Sequence, residues 1–134
     1  MPTFDFNKFR LRTFMNHLAD IGELKVLDKP MELTDITAAI ENSAKAVQFK
    51  NVGPQKYEMF AGFIGNRRRL AAAFGLSDPA KVLPEYMRRL QNRQKWEEVP
   101  SAEAPVHQVV LKGDDIDLTQ LPFYLQHHLD GAPY

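Results

Sequence analysis

Apolar residues recur along the first half of the chain at spacings that alternate between helical and extended. Phe9, Leu11, Phe14, Leu18 and Ile21 fall at near-helical intervals and Gly22 follows as a stop, which predicts an amphipathic helix over residues 9–21. Residues 23–27 alternate, with Leu24 and Val26 on one face, and Pro30 ends the pattern; this reads as a short strand. Thr34 is a suitable N-cap for a second helix, and Asp35 and Glu41 fall in or near its first turns, where carboxylates suit the helix dipole. Ile36, Ala39, Ile40, Ser43 and Ala44 form a narrow stripe that lets this helix sit close to a sheet. Residues 47–52 (VQFKNV) and 57–64 (YEMFAGFI) are two further strands, the first closed by Gly53-Pro54, the second interrupted by Gly62 and ended by Gly65-Asn66.

Asn66 can cap a helix over residues 67–74, with Gly75 as its C′ residue. Arg67, Arg68 and Arg69 then lie in a first turn, where the dipole disfavours cations. Solvent screening is the expected remedy; an acidic partner or a phosphate is the alternative. Ser77 or Asp78 caps another helix with Pro79 early in it, and Pro84 breaks or restarts it. Tyr86, Met87, Leu90 and Trp96 continue its apolar side. Residues 97–105 (EEVPSAEAP) shift to Pro, Ala and Glu and read as a linker. A strand pattern follows from Val106, then Gly113-Asp114-Asp115, Leu121-Pro122 and a final Asp-Gly-Ala-Pro-Tyr. The order α-β-α-β-β-α-α predicts an α+β (mixed α/β) fold: a small sheet flanked by helices over residues 1–96, then the linker, then an extended segment over 106–134 leading toward a second domain.

At 134 residues and 44% hydrophobic composition the chain suits one modest core. It has no cysteine, which excludes disulfides, Cys-based metal sites and thiol nucleophiles. No apolar run approaches the roughly 20 residues that span a bilayer, and the N-terminus lacks a signal-peptide pattern; a cytoplasmic protein is the expectation. Net charge is zero but unevenly spread: residues 67–95 carry +6 and residues 96–134 carry −6. The positive stretch could face a nucleic acid or anionic ligand, or the negative tail or another subunit; exposed helix faces are the plainest reading.

No phosphate-loop, dinucleotide-glycine or HExxH motif is present. His127, His128 and Asp130 are the one metal-like cluster, but adjacent histidines on a strand point to opposite faces and share an ion poorly. His17 reads as a satisfied or exposed histidine. Ser43, Ser77 and Ser101 could be combined with the four histidines on paper, yet none sits in a nucleophile-elbow context. Asp114, Asp115 and Asp117 read as a turn with side-chain caps. Spacing and residue type alone therefore yield no catalytic constellation.

Five stretches, in order, resemble the N-terminal part of the UbiD family of prenylated-FMN-dependent (de)carboxylases. They are LRTFMNHLADIGELKVLDKP (11–30), LTDITAAIE (33–41), VQFKNV (47–52), FIGNRRRLAAAFGL (63–76), and VHQVVLKGDDIDLTQLPF (106–123) with LDGAPY (129–134). The loop before VQFKNV is shorter than that family's. The resemblance implies an N-terminal domain of an enzyme for reversible non-oxidative decarboxylation of aromatic or α,β-unsaturated acids. It implies prenylated FMN with a divalent metal (Mn or Mg) and a monovalent cation in the full enzyme, with the catalytic glutamates and arginine lying beyond the Asp-Gly-Ala-Pro-Tyr element. No catalytic, cofactor-binding or metal-binding residue is carried over onto this chain, which is expected to bind no cofactor and to be inactive alone. The implied partners are the remainder of the decarboxylase or a catalytic subunit, and further copies in a homo-oligomer.

Two rival functions belong to other classes. One is a non-enzymatic assembly module docking a catalytic chain through Ile116, Leu118, Leu121, Phe123, Tyr124 and Leu125. The other is nucleic-acid binding by the +6 stretch, against which the neutral net charge and lack of a motif both speak.

Overall fold

The computed structural model describes Asn7, residues 10–93, Trp96, residues 98–123 and Leu129. Helix α1 (Leu11–Asp20) buries Met15 and Leu18 on the face that the apolar spacing marks. Its end is a Schellman motif. Gly22 adopts φ +73°, its N–H donates to Ala19 O (3.0 Å), and the Glu23 N–H donates to Leu18 O (2.8 Å). The chain thereby turns straight into β1 (Leu24–Leu27). The expected start at Phe9 lies outside the described residues; Arg10 is extended and occupies the N-cap position, so the helix runs about one turn shorter than residues 9–21.

β1 pairs in parallel with β2 (Ala46–Val52), Leu24 opposite Ala46 through Leu27 opposite Phe49. The crossover holds a 3-10 turn (Leu33–Asp35) and α2 (Ile36–Glu41). Thr34 lies inside that turn rather than capping α2, and no side chain caps α2. A 3-10 turn stacked directly onto a helix already orders the first N–H groups, which leaves little for a cap to do. Ser43 and Ala44 fall beyond the helix end, so the stripe shortens to Ile36, Ala39 and Ile40.

β2 turns through Gly53–Lys56 and pairs antiparallel with β3 (Tyr57–Ala61). The turn needs left-handed backbone at Gly53 (φ +65°) and, more unusually, at Lys56 (φ +56°). Strand order is β1-β2-β3, so β2 is central and covered on both sides. Val47, Phe49 and Val52 join Ile36, with Leu27, Met31, Leu33, Ala39, Ile40, Met59 and Ala61 around them. Ala46 joins Met15 and Leu18, with Phe14, Ile21, Leu24, Phe60, Phe63 and Ala72 around them. Alternating side chains thus serve two thin cores, one under α2 and one under α1 and α3. Val26, on the second face, stays 43% exposed.

α3 (Arg67–Ala73) is capped by Asn66, whose Oδ1 accepts from the Arg69 N–H (2.8 Å). It closes in a second Schellman motif: Gly75 at φ +75° donates to Ala72 O, and the Leu76 N–H donates to Ala71 O, both at 2.9 Å. Asp78 caps a 3-10 turn (Pro79–Lys81) that runs into α4 (Val82–Gln91). Pro84 sits in the first turn of α4, where its missing N–H costs nothing, so the helix restarts rather than kinks. Trp96 lies past the end of α4 and is 92% exposed; it does not extend that helix's apolar side.

Residues 98–123 contain only 3-10 turns, at Ser101–Glu103, Pro105–His107, Gly113–Asp115 and Leu118–Gln120. The strand expected from Val106 does not form. A strand requires a neighbouring edge to bond with, and among the described residues none pairs with this segment.

Candidate functional site

The arginine-rich first turn of α3 is the most heavily constrained polar feature of the domain. Arg69 is buried at 4% exposure. Its guanidinium reaches Glu23 Oε2 (3.1 Å) and the Ala44 carbonyl (2.7 Å), which ties α3 to the α1–β1 corner and to the start of β2. Arg68 bonds the other Glu23 oxygen (3.2 Å) and the Ile21 carbonyl (3.2 Å). Asn66 Nδ2 also reaches Glu23 (3.3 Å). Gly65 lies so close that an added Cβ would stand 2.8 Å from an Arg69 nitrogen. Compensation is internal for buried Arg69, by one carboxylate and one carbonyl, and shared with solvent for Arg68, which pairs with the same carboxylate but stays exposed; screening by solvent alone is left to exposed Arg67. Arg69 Nε has no partner among the described residues.

A second cluster sits at the far end of the α1 face of the sheet. Glu58 accepts from Arg12 (2.6 Å), Gln48 (2.6 Å) and Lys50 (2.7 Å). The Lys50 hydrogen bond first, then those of Arg12 and Gln48, hold its carboxyl at a pKa of about 2. On α4, Glu85 takes hydrogen bonds from Arg88 and Arg89 (2.7 Å each) and is likewise held at about 2. Arg89 also donates to Phe74 O (2.8 Å) and lies 4.8 Å from that ring's centroid, while Phe74 meets Tyr86 edge-on at 6.4 Å. Between α3 and α4 opens an apolar cleft of about 580 Å³, lined by Leu70, Phe74, Pro79, Val82, Leu83 and Tyr86, with Arg67 at its rim.

The other sequence candidates stay apart. His17 is exposed in the last turn of α1. Ser43 closes a local turn with Lys45. Ser101 and His107 do meet, at 2.9 Å, but His107 Nδ1 also lies 2.9 Å from the Ser101 carbonyl, and among the described residues no carboxylate holds the imidazole. That is a turn contact, not a nucleophile and base. Asp117 caps Thr119 (2.9 Å to its N–H, 2.6 Å to its hydroxyl) and bonds Gln120 (3.1 Å), which lowers its pKa. His127, His128 and Asp130 lie outside the described residues. No group of three His, Asp or Glu able to hold a metal occurs among the described residues. Sequence reading missed Glu23, Glu58 and Tyr57. Tyr57 donates its hydroxyl to Gln120 O and ties the tail to β3. Cross-strand placement of Lys50 beside Glu58 was the one available signal.

The described residues thus form a domain with two thin cores, braced by a buried arginine. The chain belongs to the family of 3-octaprenyl-4-hydroxybenzoate carboxy-lyase N-terminal domains, which its residues 15–90 match. Solved structures share the fold. An evolved dimeric form of the UbiD-class enzyme HmfF from Pelotomaculum thermopropionicum, in complex with prFMN, superposes with a TM-score of 0.78 at 24% identity. Vanillic acid decarboxylase from Sedimentibacter hydroxybenzoicus, in open form, gives 0.70 at 23%. In each case the likeness covers 92% of this chain but only 29% of the other, so the relatives carry further parts beyond the matched region. No helix among the described residues is long and apolar enough to cross a membrane.

Proposed function

We propose that this chain forms the N-terminal part of a UbiD-like enzyme carrying out reversible non-oxidative decarboxylation of an aromatic or α,β-unsaturated carboxylic acid. The family match over residues 15–90, within a likeness spanning 29% of a prFMN-bound relative, carries this reading. The chain's own contribution is scaffold and contact surface.

The described residues do not fit a flavin or its metals. Arg68 and Arg69, the candidate phosphate contacts, are spent on Glu23 and carbonyls. Asp117, in the acidic turn region, is spent on Thr119 and Gln120. On this reading prenylated FMN, the divalent metal and the monovalent cation are held by the remainder of the enzyme, and no chemical step is assigned to this chain. The isolated chain should neither retain flavin nor release CO2 from aromatic acids. Robust turnover by it would overturn the placement of the site.

The exposed apolar tail favours a second reading, a separate assembly module that docks a catalytic chain. Intact mass from the source organism separates the two: a longer polypeptide carrying this sequence supports the first, a tight two-chain complex the second. A nucleic-acid role is disfavoured because four of the eight cations in residues 67–95 (Arg68, Arg69, Arg88 and Arg89) are already ion-paired. Salt-sensitive retention on DNA or RNA would reopen it.

A further inference from the structure

The β2–β3 hairpin ends with two departures from regular geometry side by side. Lys56 holds left-handed backbone at φ +56°, which few residues other than glycine adopt. Next to it the register slips by one: Phe49 faces Met59 but Val52 faces Tyr57, so Lys50 and Asn51 together oppose Glu58. Such a bulge re-aims the side chains around it, and left-handed backbone at a non-glycine residue persists where neighbouring contacts hold it. The two departures flank half-buried Tyr57, whose hydroxyl donates to the Gln120 carbonyl, 63 positions further along the chain.

The acceptor is presented by a turn with bracing of its own. Asp117 Oδ1 accepts from the Thr119 N–H (2.9 Å) and hydroxyl (2.6 Å), and Oδ2 accepts from the Gln120 side chain (3.1 Å). The Gln120 and Leu121 N–H groups close onto the Asp117 and Leu118 carbonyls at 3.3 and 3.1 Å. Gln120 is therefore fixed within its turn by bonds on both sides of its carbonyl, and the hairpin end supplies the one donor that carbonyl meets. We propose that Tyr57 and the turn at residues 117–120 form a tether that fixes the course on which the chain leaves the domain. The tether deepens the proposed function and, in its consequence, rests on that reading: the hairpin end sets the angle at which the remainder of the enzyme meets this domain. Tyrosine suits the task, because one directional bond positions the segment without requiring a further core.

The chain has no cysteine, so Leu118→Cys, at an exposed position, gives a single site for a nitroxide spin label. In the labelled 134-residue chain the amide resonances of residues 56–59 should be broadened by the nearby label. Tyr57→Phe keeps the ring and removes only the donor; it should reduce that broadening at least about twofold, as the loss of a hydrogen bond of ordinary net strength would. Asp117→Ala, which dissolves the turn, should do the same. The double variant should be no looser than either single one, because both break one unit. Thermal unfolding checks that the fold is kept; should Tyr57→Phe disturb the hairpin, Asp117→Ala on the exposed turn carries the test. A parent that shows no broadening, broadening that survives both substitutions, or losses that add in the double variant would each overturn the proposal. The measurement involves neither flavin nor acid substrate, so its outcome is separate from that of the enzymatic reading.

Discussion

Residues 46–52 and 106–111 have nearly the same texture, AVQFKNV against VHQVVL, yet opposite fates. The first is the buried centre of the sheet, with Ala46, Val47, Phe49 and Val52 all at 1% exposure or less. The second leaves Val106, Val109, Val110 and Leu111 more than half exposed and forms no strand. The difference is not propensity but company. β2 has β1 on one edge, β3 on the other and helices on both faces; among the described residues the later segment has neither edge nor face. Strand-forming composition is a capacity that a neighbouring edge realises.

The contrast can be broken hardest at its buried end. Phe49→Ala should cost about 3–5 kcal/mol, read by chemical denaturation, because it opens a cavity beneath α2 that the thin core cannot refill. Glu23→Ala should cost about 3 kcal/mol, since it leaves the buried Arg69 guanidinium without its carboxylate. Glu23→Ala together with Arg69→Met should recover part of that loss, which distinguishes a stranded charge from lost packing.

Glu58 sharpens the comparison through pH. Its pKa is lowered from 4.5 to about 2 in the folded state, so its contribution is fully present above 4.5 and fades as pH falls toward 2. Glu58→Gln should lower stability at neutral pH by about 1 kcal/mol, a modest amount because the cluster is partly solvated, and should flatten the acid side of the stability profile. A parent-like slope in the variant would assign the acid sensitivity elsewhere. The smallest effect is expected at the exposed end: Leu118→Ser should shift stability by less than about 0.5 kcal/mol, despite removing a leucine. A larger loss would mean that the tail packs on the domain after all.

Most elements that periodicity and end chemistry mark are found where expected. α1, β2 and α3 follow their apolar spacing, and Asn66, Gly22 and Gly75 each perform the capping role their residue type allows; β3 stops at Ala61 rather than Ile64, because Gly62 at φ +73° turns the chain out of the strand. The failures share one cause. Whether Arg69 is buried depends on where Glu23 and Ala44 arrive in space, and a run of three arginines reads as solvated until those partners are placed. Glu58 gathers Arg12, from 46 positions away, only because α1 crosses that face of the sheet. The strand from Val106 was misread for the complementary reason, since sequence shows an inclination to pair but not whether an edge is available. The pairing of Glu23 with Arg68 and Arg69 and the α3–α4 cleft are likewise products of tertiary geometry.

The mixed sheet also carries an order of events in time. β2 and β3 are joined by a four-residue turn and can zip locally. β1 reaches β2 only across residues 28–45, a parallel pairing whose loop-closure cost must be met before its contacts form. The β2–β3 hairpin should therefore lead, with β1 and the Glu23 beside it docking late, so that the carboxylate closes over Arg69 near the end of folding. In stopped-flow kinetics Glu23→Ala should chiefly speed unfolding, whereas Phe49→Ala should also slow folding. The salt clasp that braces the finished domain would then act as its latch against opening rather than as a guide to its assembly.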